Sequence, residues 1–432
     1  MNAAGGPVRA GRLALGLVLL ACMMGAAVAQ AAEVRIAAIR FAGNVVTRDS
    51  VLRQQLTIRV GEPLDPAAVE ASRQAIMNLG LFAKVTDSVE KTPEGAVVTF
   101  TVREKLYTWL LPRLGRNTDG DISLGGELRF DNLNGLNQRL KFIVEKKDIA
   151  GGGTELRKAV EFSAPRLLGT PYGLGASFGE TKHKETLYSG DQQGEYDLRT
   201  RSLGLDLSRW LNRDGPNSGW HGDAGLSVSR QYYTYRSGTP GLEQNSQDVS
   251  VSLGLGYTRV NLRRYDYRDG LEYGGGASVG GPQIGADNYH FNLTGYLRRY
   301  MLLSTPNTNL NYQLRTGYSN HSAAGGDGFS LGGADSLRGY ERGSVTGDVY
   351  MLANVEYLRP LFGRKRLRGV LFTDIGNAWS HRDFAPWNLQ PSVGVGIRWH
   401  ISWLVNVDLR VDGAYALGQR RYQFYFGTKS TF

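Results

Sequence analysis

The stretch Val249-Ser250-Val251-Ser252-Leu253-Gly254-Leu255-Gly256-Tyr257-Thr258 decides the fold. In an extended chain its apolar side chains fall on one face and its small or polar ones on the other. The same period of two recurs at Leu203-Leu205-Leu207, Leu310-Tyr312-Leu314, Val349-Met351-Ala353-Val355-Tyr357 and Val393-Val395-Ile397-Trp399. In the run Val405-Val407-Leu409-Val411 the residues between are Asn406, Asp408, Arg410 and Asp412, so charge faces one way and hydrocarbon the other. A soluble sandwich alternates too, but with short strands in modules of about 100 residues. Here alternating segments of about 9 to 15 residues repeat over some 325 positions from Tyr107 to Phe432, the scale of a transmembrane antiparallel β-barrel. Abundant glycine (57) and more tyrosine than phenylalanine (22 against 15) fit strands that are greasy on one face and end in aromatic rims.

Sixteen such segments can be counted, from 107–115 to a last pair at 403–412 and 418–432. An even count returns the C-terminus to the end where the barrel began, and closure removes the strand edges that lipid cannot satisfy. The longest connection, 321–346, is rich in glycine and charge and belongs on the extracellular side or folded back inside. Turns such as Asn132 to Gly135 and the basic Gly363 to Arg368 belong at the other end, where the second reads as a solvated or lipid-facing turn. No segment after the leader approaches 18 consecutive apolar residues, so helical spans are excluded.

The N-terminus carries Arg9 and Arg12 ahead of an apolar stretch, Leu13 to Ala29, that ends on small residues. Residues 1–32 are therefore expected to be a secretory signal peptide. It holds the chain's one cysteine, Cys22, so the mature chain has no thiol for disulfides or catalysis. Net charge of +10 falls to about +8 without the leader's two arginines, a modest excess suited to anionic lipid headgroups or lipopolysaccharide. Nucleic acid is not a partner to expect of a secreted chain.

Residues 33–104 read differently, as a small α+β domain in the order β-α-α-β-β, ahead of the barrel at 105–432. Its first strand alternates Val34, Ile36 and Ala38 and turns at Gly43-Asn44, and a short helix carries Val51, Leu52 and Leu56. In the second helix Asp65 can accept the first orphan amide hydrogens, Pro66 suits the first helical position and Gly80 a left-handed end. Val69, Ile76 and Leu79 share one face of it. Two strands, Phe82 to Val89 and Val97 to Val102, follow around a Thr-Pro-Glu-Gly turn at 92–95.

Inside the long connection stands Phe329-Ser330-Leu331-Gly332-Gly333-Ala334-Asp335-Ser336-Leu337-Arg338-Gly339-Tyr340, and later comes Phe372-Thr373-Asp374-Ile375-Gly376-Asn377-Ala378-Trp379. Together they resemble the lumen-loop and strand motifs of the BamA/TamA superfamily of Gram-negative outer-membrane assembly and translocation barrels. The front domain resembles that family's POTRA module, giving a surface-antigen type barrel with a single POTRA domain. The resemblance implies that the tip Leu337, Arg338, Gly339 and Tyr340 enters the lumen, with Arg338 on Asp374 of the thirteenth strand between Phe372 and Gly376. Alternation agrees, since Phe372, Asp374 and Gly376 share a face opposite Leu371, Thr373 and Ile375.

Terminal Phe432 resembles the C-terminal aromatic by which such barrels are themselves recognised for insertion. The function implied is non-catalytic: extended client polypeptides add to a POTRA edge in the periplasm, then insert or leave through the barrel or its lateral seam. Partners would be outer-membrane lipid and lipopolysaccharide, unfolded client proteins or one secreted partner, and periplasmic or lipoprotein accessories, with no cofactor. Assembly barrels of this family carry several front domains where one fits between Glu33 and Lys105. A passive pore or small-solute transporter, or a dedicated secretion channel for one separately encoded protein, is the alternative.

Other signals carry no chemistry. Two Gly-x-Ser-x-Gly matches, around Ser177 and Ser278, fall in alternating strands without the strand, turn and helix that a nucleophile elbow requires. The six histidines, 183, 221, 290, 321, 381 and 400, are scattered with no pair spaced for one metal, so no metal is expected.

Overall fold

The computed structural model describes residues 34–116, 122–148, 153–212, 216–263, 267–320, 328–405 and 408–427. The expected leader with Cys22, His321 and terminal Phe432 lie outside them.

The front domain is a three-stranded sheet covered by two helices. Strand β1 (Ile36–Ala42) runs parallel to the central β3 (Gly95–Glu104), and β2 (Phe82–Thr92) pairs antiparallel with β3 on its other side. Helix α1 (Asp49–Arg53) is a single turn, so Leu56 lies past its end while still joining the core. Helix α2 (Pro66–Asn78) has Pro66 in its first turn, and the Asp65 carboxylate accepts from the Ala67 amide at 2.8 Å. Gly80 takes a left-handed φ of 74° just beyond it. The simple alternation expected of β1 is interrupted. A register shift between Ile36 and Ala38 makes Ile36 and Ile39 the core residues and leaves Val34 exposed. They pack with Leu52, Ile76, Phe82, Val98 and Phe100 into one apolar cluster.

The barrel is one antiparallel sheet of sixteen strands. Its first eleven are β4 (Thr108–Arg116), β5 (Ile122–Leu133), β6 (Gln138–Asp148), β7 (Thr154–Ala164), β8 (Tyr172–Ser189), β9 (Gln192–Trp210), β10 (Gly219–Gly238), β11 (Ser246–Leu262), β12 (Arg268–Gly280), β13 (His290–Leu302) and β14 (Asn309–Ser319). The long connection then forms a short hairpin of its own, β15 (Phe329–Leu331) against β16 (Val345–Gly347). The wall resumes with β17 (Val349–Leu361), β18 (Arg364–Trp379), β19 (Gln390–His400), β20 (Asp408–Ala416) and β21 (Arg421–Gly427). Alternation sorts the faces: Leu253, Leu371 and Val395 lie outside, exposed, while Asp374, Arg398 and Asp412 are buried inside. The fifteenth strand departs from its expected bounds. Residues 401–405 are turn and bridge rather than strand, and Asp408 begins the ladder instead.

Closure is incomplete. No ladder joins β21 to β4 among the described residues, although the two are neighbours. At the front-domain end the start of β4 also meets the connection between β19 and β20. Leu106, in the link from β3 to β4, bridges Leu404 and donates its amide to the Trp403 carbonyl at 2.9 Å. Trp109, Leu111 and Leu404 pack together beside it.

The front domain also grips the barrel through polar contacts. On α2, Gln74 donates to the Leu262 carbonyl (2.9 Å), Asn78 accepts from the Leu262 amide (2.8 Å), and Arg263 donates back to Gln74 (2.9 Å). Arg48 bonds the 134–135 turn through its amide and side chain, both at 3.0 Å. Between these anchors Tyr107 is buried beside Thr47, which accepts from Asn132 of the barrel at 2.8 Å. Burial pushes the Tyr107 hydroxyl well above its ordinary pKa. The double substitution Gln74→Ala/Asn78→Ala should free α2 from the 261–263 turn without touching the front-domain core. Hydrogen–deuterium exchange is then expected to rise in the turn while residues 97–102 stay protected.

Candidate functional site

The long connection drops from the end remote from the front domain into the barrel. Its lower part, Leu337 to Tyr340, is wholly buried against the inner faces of β17 to β21. The position of the tip is set by sequence at three levels. Ser336 accepts from the Gly332 amide and donates to its carbonyl, both at 3.0 Å, closing a tight turn. Leu337 and Tyr340 insert into an apolar nest of Leu331, Tyr350, Leu352, Ala378 and Ala416. Gly339 takes φ +93°, a conformation side chains resist, and a Cβ there would lie 2.9 Å from the Ala416 amide nitrogen.

Between the apolar contacts lies an ion network. Arg338 addresses Asp374 with both arms of its fork, Nε to Oδ2 and Nη2 to Oδ1, each at 2.6 Å, and its own amide reaches Oδ2 at 3.1 Å. Its Nη1 bonds Glu356 at 2.6 Å and lies 3.5 Å from Asp412. The guanidinium sits 3.5 Å from the centre of the Phe372 ring, so one face of the cation is covered by π density. Arg398 bridges Glu356 (3.1 Å) and Asp412 (2.5 Å), and Arg410 joins Asp412 (2.5 Å) while donating to the Ala334 carbonyl of the loop (2.6 Å). Three guanidiniums thus face three carboxylates out of water, and their charges cancel. Asn354 completes the frame, donating to Asp374 (2.7 Å) and to the Ser336 carbonyl (2.8 Å), with Gln313 behind it.

The structure therefore brings together Arg338, Phe372 and Asp374 at one point and sets Leu337, Gly339 and Tyr340 against neighbouring strands. Gly376 lies two residues along β18, where a Cβ would meet the Met351 carbonyl at 2.6 Å. Glu356, Arg398, Arg410, Asp412 and Tyr425 belong to the same site and stand outside both motifs. Their signal was available in part. In the β20 run Asp408, Arg410 and Asp412 alternate with aliphatic residues, which marks an inward charged face without naming its partners; Glu356 and Arg398 stand singly on the inward faces of β17 and β19. Tyr425 gave none. It accepts from the Gly339 amide at 2.9 Å and so links the tip to the last strand.

The arrangement positions a loop. Among the described residues no cluster of three or more metal-ligating side chains could hold a metal ion.

Comparison with known proteins agrees with the architecture. A family described as the Omp85 superfamily domain matches residues 132–432, and one described as the surface antigen variable number repeat, a POTRA domain, matches 34–105. An outer membrane protein assembly factor, BamA of Neorickettsia risticii, is 25% identical over 412 residues, 89% of this chain. The chain spans 52% of that relative's length. BamA of Nitratidesulfovibrio vulgaris is 39% identical over 70 residues, 16% of this chain and 9% of its own. Among solved structures, CdiB from Escherichia coli aligns with TM-score 0.63 at 17% identity, over 92% of this chain and 77% of that one. BamA from Haemophilus ducreyi lacking POTRA domains 1–3 aligns with TM-score 0.53 at 16% identity, over 91% and 84%. At those identities the structures share the fold.

Arg338→Ala leaves three buried carboxylates facing two guanidiniums, and losing one partner of a buried network costs about 3–5 kcal/mol. The tip should detach while the barrel stays folded. A cysteine placed at Leu337 is expected to resist thiol reagents in the parent and to label rapidly once Arg338→Ala is added, with heat-modifiable electrophoretic mobility unchanged. Gly339→Ala should produce the same labelling from the backbone side.

Proposed function

The chain belongs to the Omp85 superfamily, and from that premise we propose that it is an outer-membrane insertase or translocase whose barrel wall parts between β4 and β21. The barrel is an integral outer-membrane protein; in this reading the front domain lies in the periplasm.

The observation that carries the reading is that the two lips of the seam are held by different bodies. β21 is tied through Tyr425 to the lumen tip, and the tip to β17, β18 and β20, so the C-terminal wall is braced as a unit. β4 continues from β3 of the front domain through Lys105, Leu106 and Tyr107, where Lys105 donates to the Leu81 carbonyl at 3.0 Å. A shift of the front domain would therefore pull directly on β4, and would reach β21 only through the braced C-terminal wall, at Trp403 and Val405.

The front domain supplies an edge for an extended client. The outer edge of β1 is covered at its start by the 61–64 segment, whose Leu64 amide bonds the Val34 carbonyl. Among the described residues no strand lies beside the β2 edge, and its second half, Asp87 to Lys91, is exposed. A client strand added there would meet main-chain donors and acceptors regardless of its sequence. The same logic would apply at β4 once the seam opens, and no step needs covalent chemistry.

Leu106 and Leu404 are bridge partners, close enough for a disulfide. In liposomes, the parent should accelerate folding of unfolded outer-membrane proteins. Leu106→Cys/Leu404→Cys should lose that acceleration when oxidised and regain it on reduction. Large steady conductance without acceleration in either state would favour a passive pore or a channel dedicated to one absent partner.

A further inference from the structure

Around most of the barrel the outward residues remain apolar or uncharged to the rim remote from the front domain: Val249 and Val251 on β11, Val279 on β12, Phe291 on β13, Tyr318 on β14, Val349 on β17. Five adjacent strands depart from this. The cross-strand row Phe142, Val160, Phe178, Leu203 and Val228 is wholly apolar. One step outward the row becomes Val144, Lys158, Glu180, Arg201 and Arg230, and the next is Lys146, Leu156, Lys182, Arg199 and Tyr232. Two rows thus hold six cations and one carboxylate, a net charge of +5.

Their placement is not accidental to strand length. β8, β9 and β10 have 18, 19 and 20 residues, nearly twice the about 9–11 that cross a bilayer, so these strands carry the cations past the hydrocarbon edge. Glu180 lies between Lys158 and Arg201 and accepts from Arg201 at 2.9 Å, offsetting one of the six cations. Lys146 and Lys182 lean on Asp148 and Asp197 of the next rows at 3.1 and 3.8 Å, and Arg230 bonds Gln247. Lys158 and Arg201 are exposed.

We propose that this face of β6 to β10 is a binding site for the phosphorylated headgroup of lipopolysaccharide. The inference rests on the orientation given above, which puts this rim in the outer leaflet. Lone cations at a membrane rim are ordinary snorkelling. Six on five neighbouring strands, beside β11 to β14 and β17 whose described outward residues at this rim are uncharged, call for a ligand with several negative charges at fixed spacing. From Lys158 to Arg230 is three strand steps, about 14 Å, and the two rows are about 7 Å apart. That area is commensurate with a disaccharide bearing a phosphate at each end, whose acyl chains would lie along Phe142, Val160, Phe178 and Leu203. A phospholipid, with one phosphate, would engage only part of it.

The test uses the full chain in detergent and no client, so its outcome is independent of insertase activity. Binding of purified lipopolysaccharide, of lipopolysaccharide stripped of phosphate by phosphatase, and of phosphatidylglycerol is measured by native mass spectrometry. The parent should bind the intact glycolipid and lose most of that binding with the stripped form. K158Q/R201Q/R230Q should bind it about 100-fold more weakly, about five-fold for each cation removed. K158R/R201K/R230K should bind like the parent, and heat-modifiable mobility should show every variant folded. Equal binding by the glutamine variant, or phosphatidylglycerol binding that depends equally on these residues, would overturn the site. Labelling of front-domain residues in intact cells would separately overturn the orientation.

Discussion

A guanidinium withdrawn from water must have its charge answered within the protein, and that constraint at Arg338 shapes the C-terminal third of the barrel. Asp374 alone would balance the charge. The structure goes further, because the carboxylates of Glu356 and Asp412 need cations of their own, which Arg398 and Arg410 supply. Each added pair comes from another strand, so neutrality is reached only when β17, β18, β19 and β20 are in register with the loop. A buried pair contributes little net stability compared with hydrocarbon, yet it is costly to half-break. The network therefore suits a loop that must sit in one place rather than one that merely fills space.

That division of the wall follows from chain order. The tip belongs to the connection between β14 and β17, and the strands it binds are those that come after it. Among the described residues no such network braces β4 to β7: Arg113 pairs with Glu127 and Glu145, Lys141 with Glu161, and Arg129 reaches the Val405 carbonyl at 3.5 Å. Such pairs move with the sheet as it bends. One half of the barrel is therefore cross-linked through its interior and the other is a ribbon, and the unladdered seam lies where the two meet.

The sequence is legible where one physical rule dominates and opaque where two compete. Period two located all sixteen wall strands because lipid outside and polar groups inside apply the same sorting to each. It misplaced the fifteenth because Val405, which alternates correctly with its neighbours, is instead drawn into the front-domain core beside Tyr107. Asp65 and Gly80 marked the bounds of α2 because capping is local. The β1 register shift was invisible because it belongs to the pairing with β3, more than fifty residues away, and not to β1 alone. In the site, Arg338 and Asp374 stood out in glycine-rich motifs. Arg398, Arg410 and Asp412 looked like any inward charge, since their meaning depends on which strands closure makes adjacent. Gln74 and Asn78 were the least readable, being polar residues of an amphipathic helix whose outer face docks on a turn 183 and more residues away.

The front domain and the tip loop bear on the barrel from opposite ends, and their contacts meet near the seam. Tyr107 and Val405 share the front-domain core, while Tyr425 and Ala416, on the strands just after Val405, receive Gly339. The segment from Val405 to Tyr425 is thus touched by both devices within about two strands. A change in how the front domain seats Val405 must be absorbed either by the seam or by the tip. The tip is fixed by three buried carboxylates, whereas the seam has no ladder among the described residues to lose. By that comparison the seam is the weaker of the two, and in the proposed function strain applied at the front domain would be taken up by separation of β4 from β21 rather than by release of the loop.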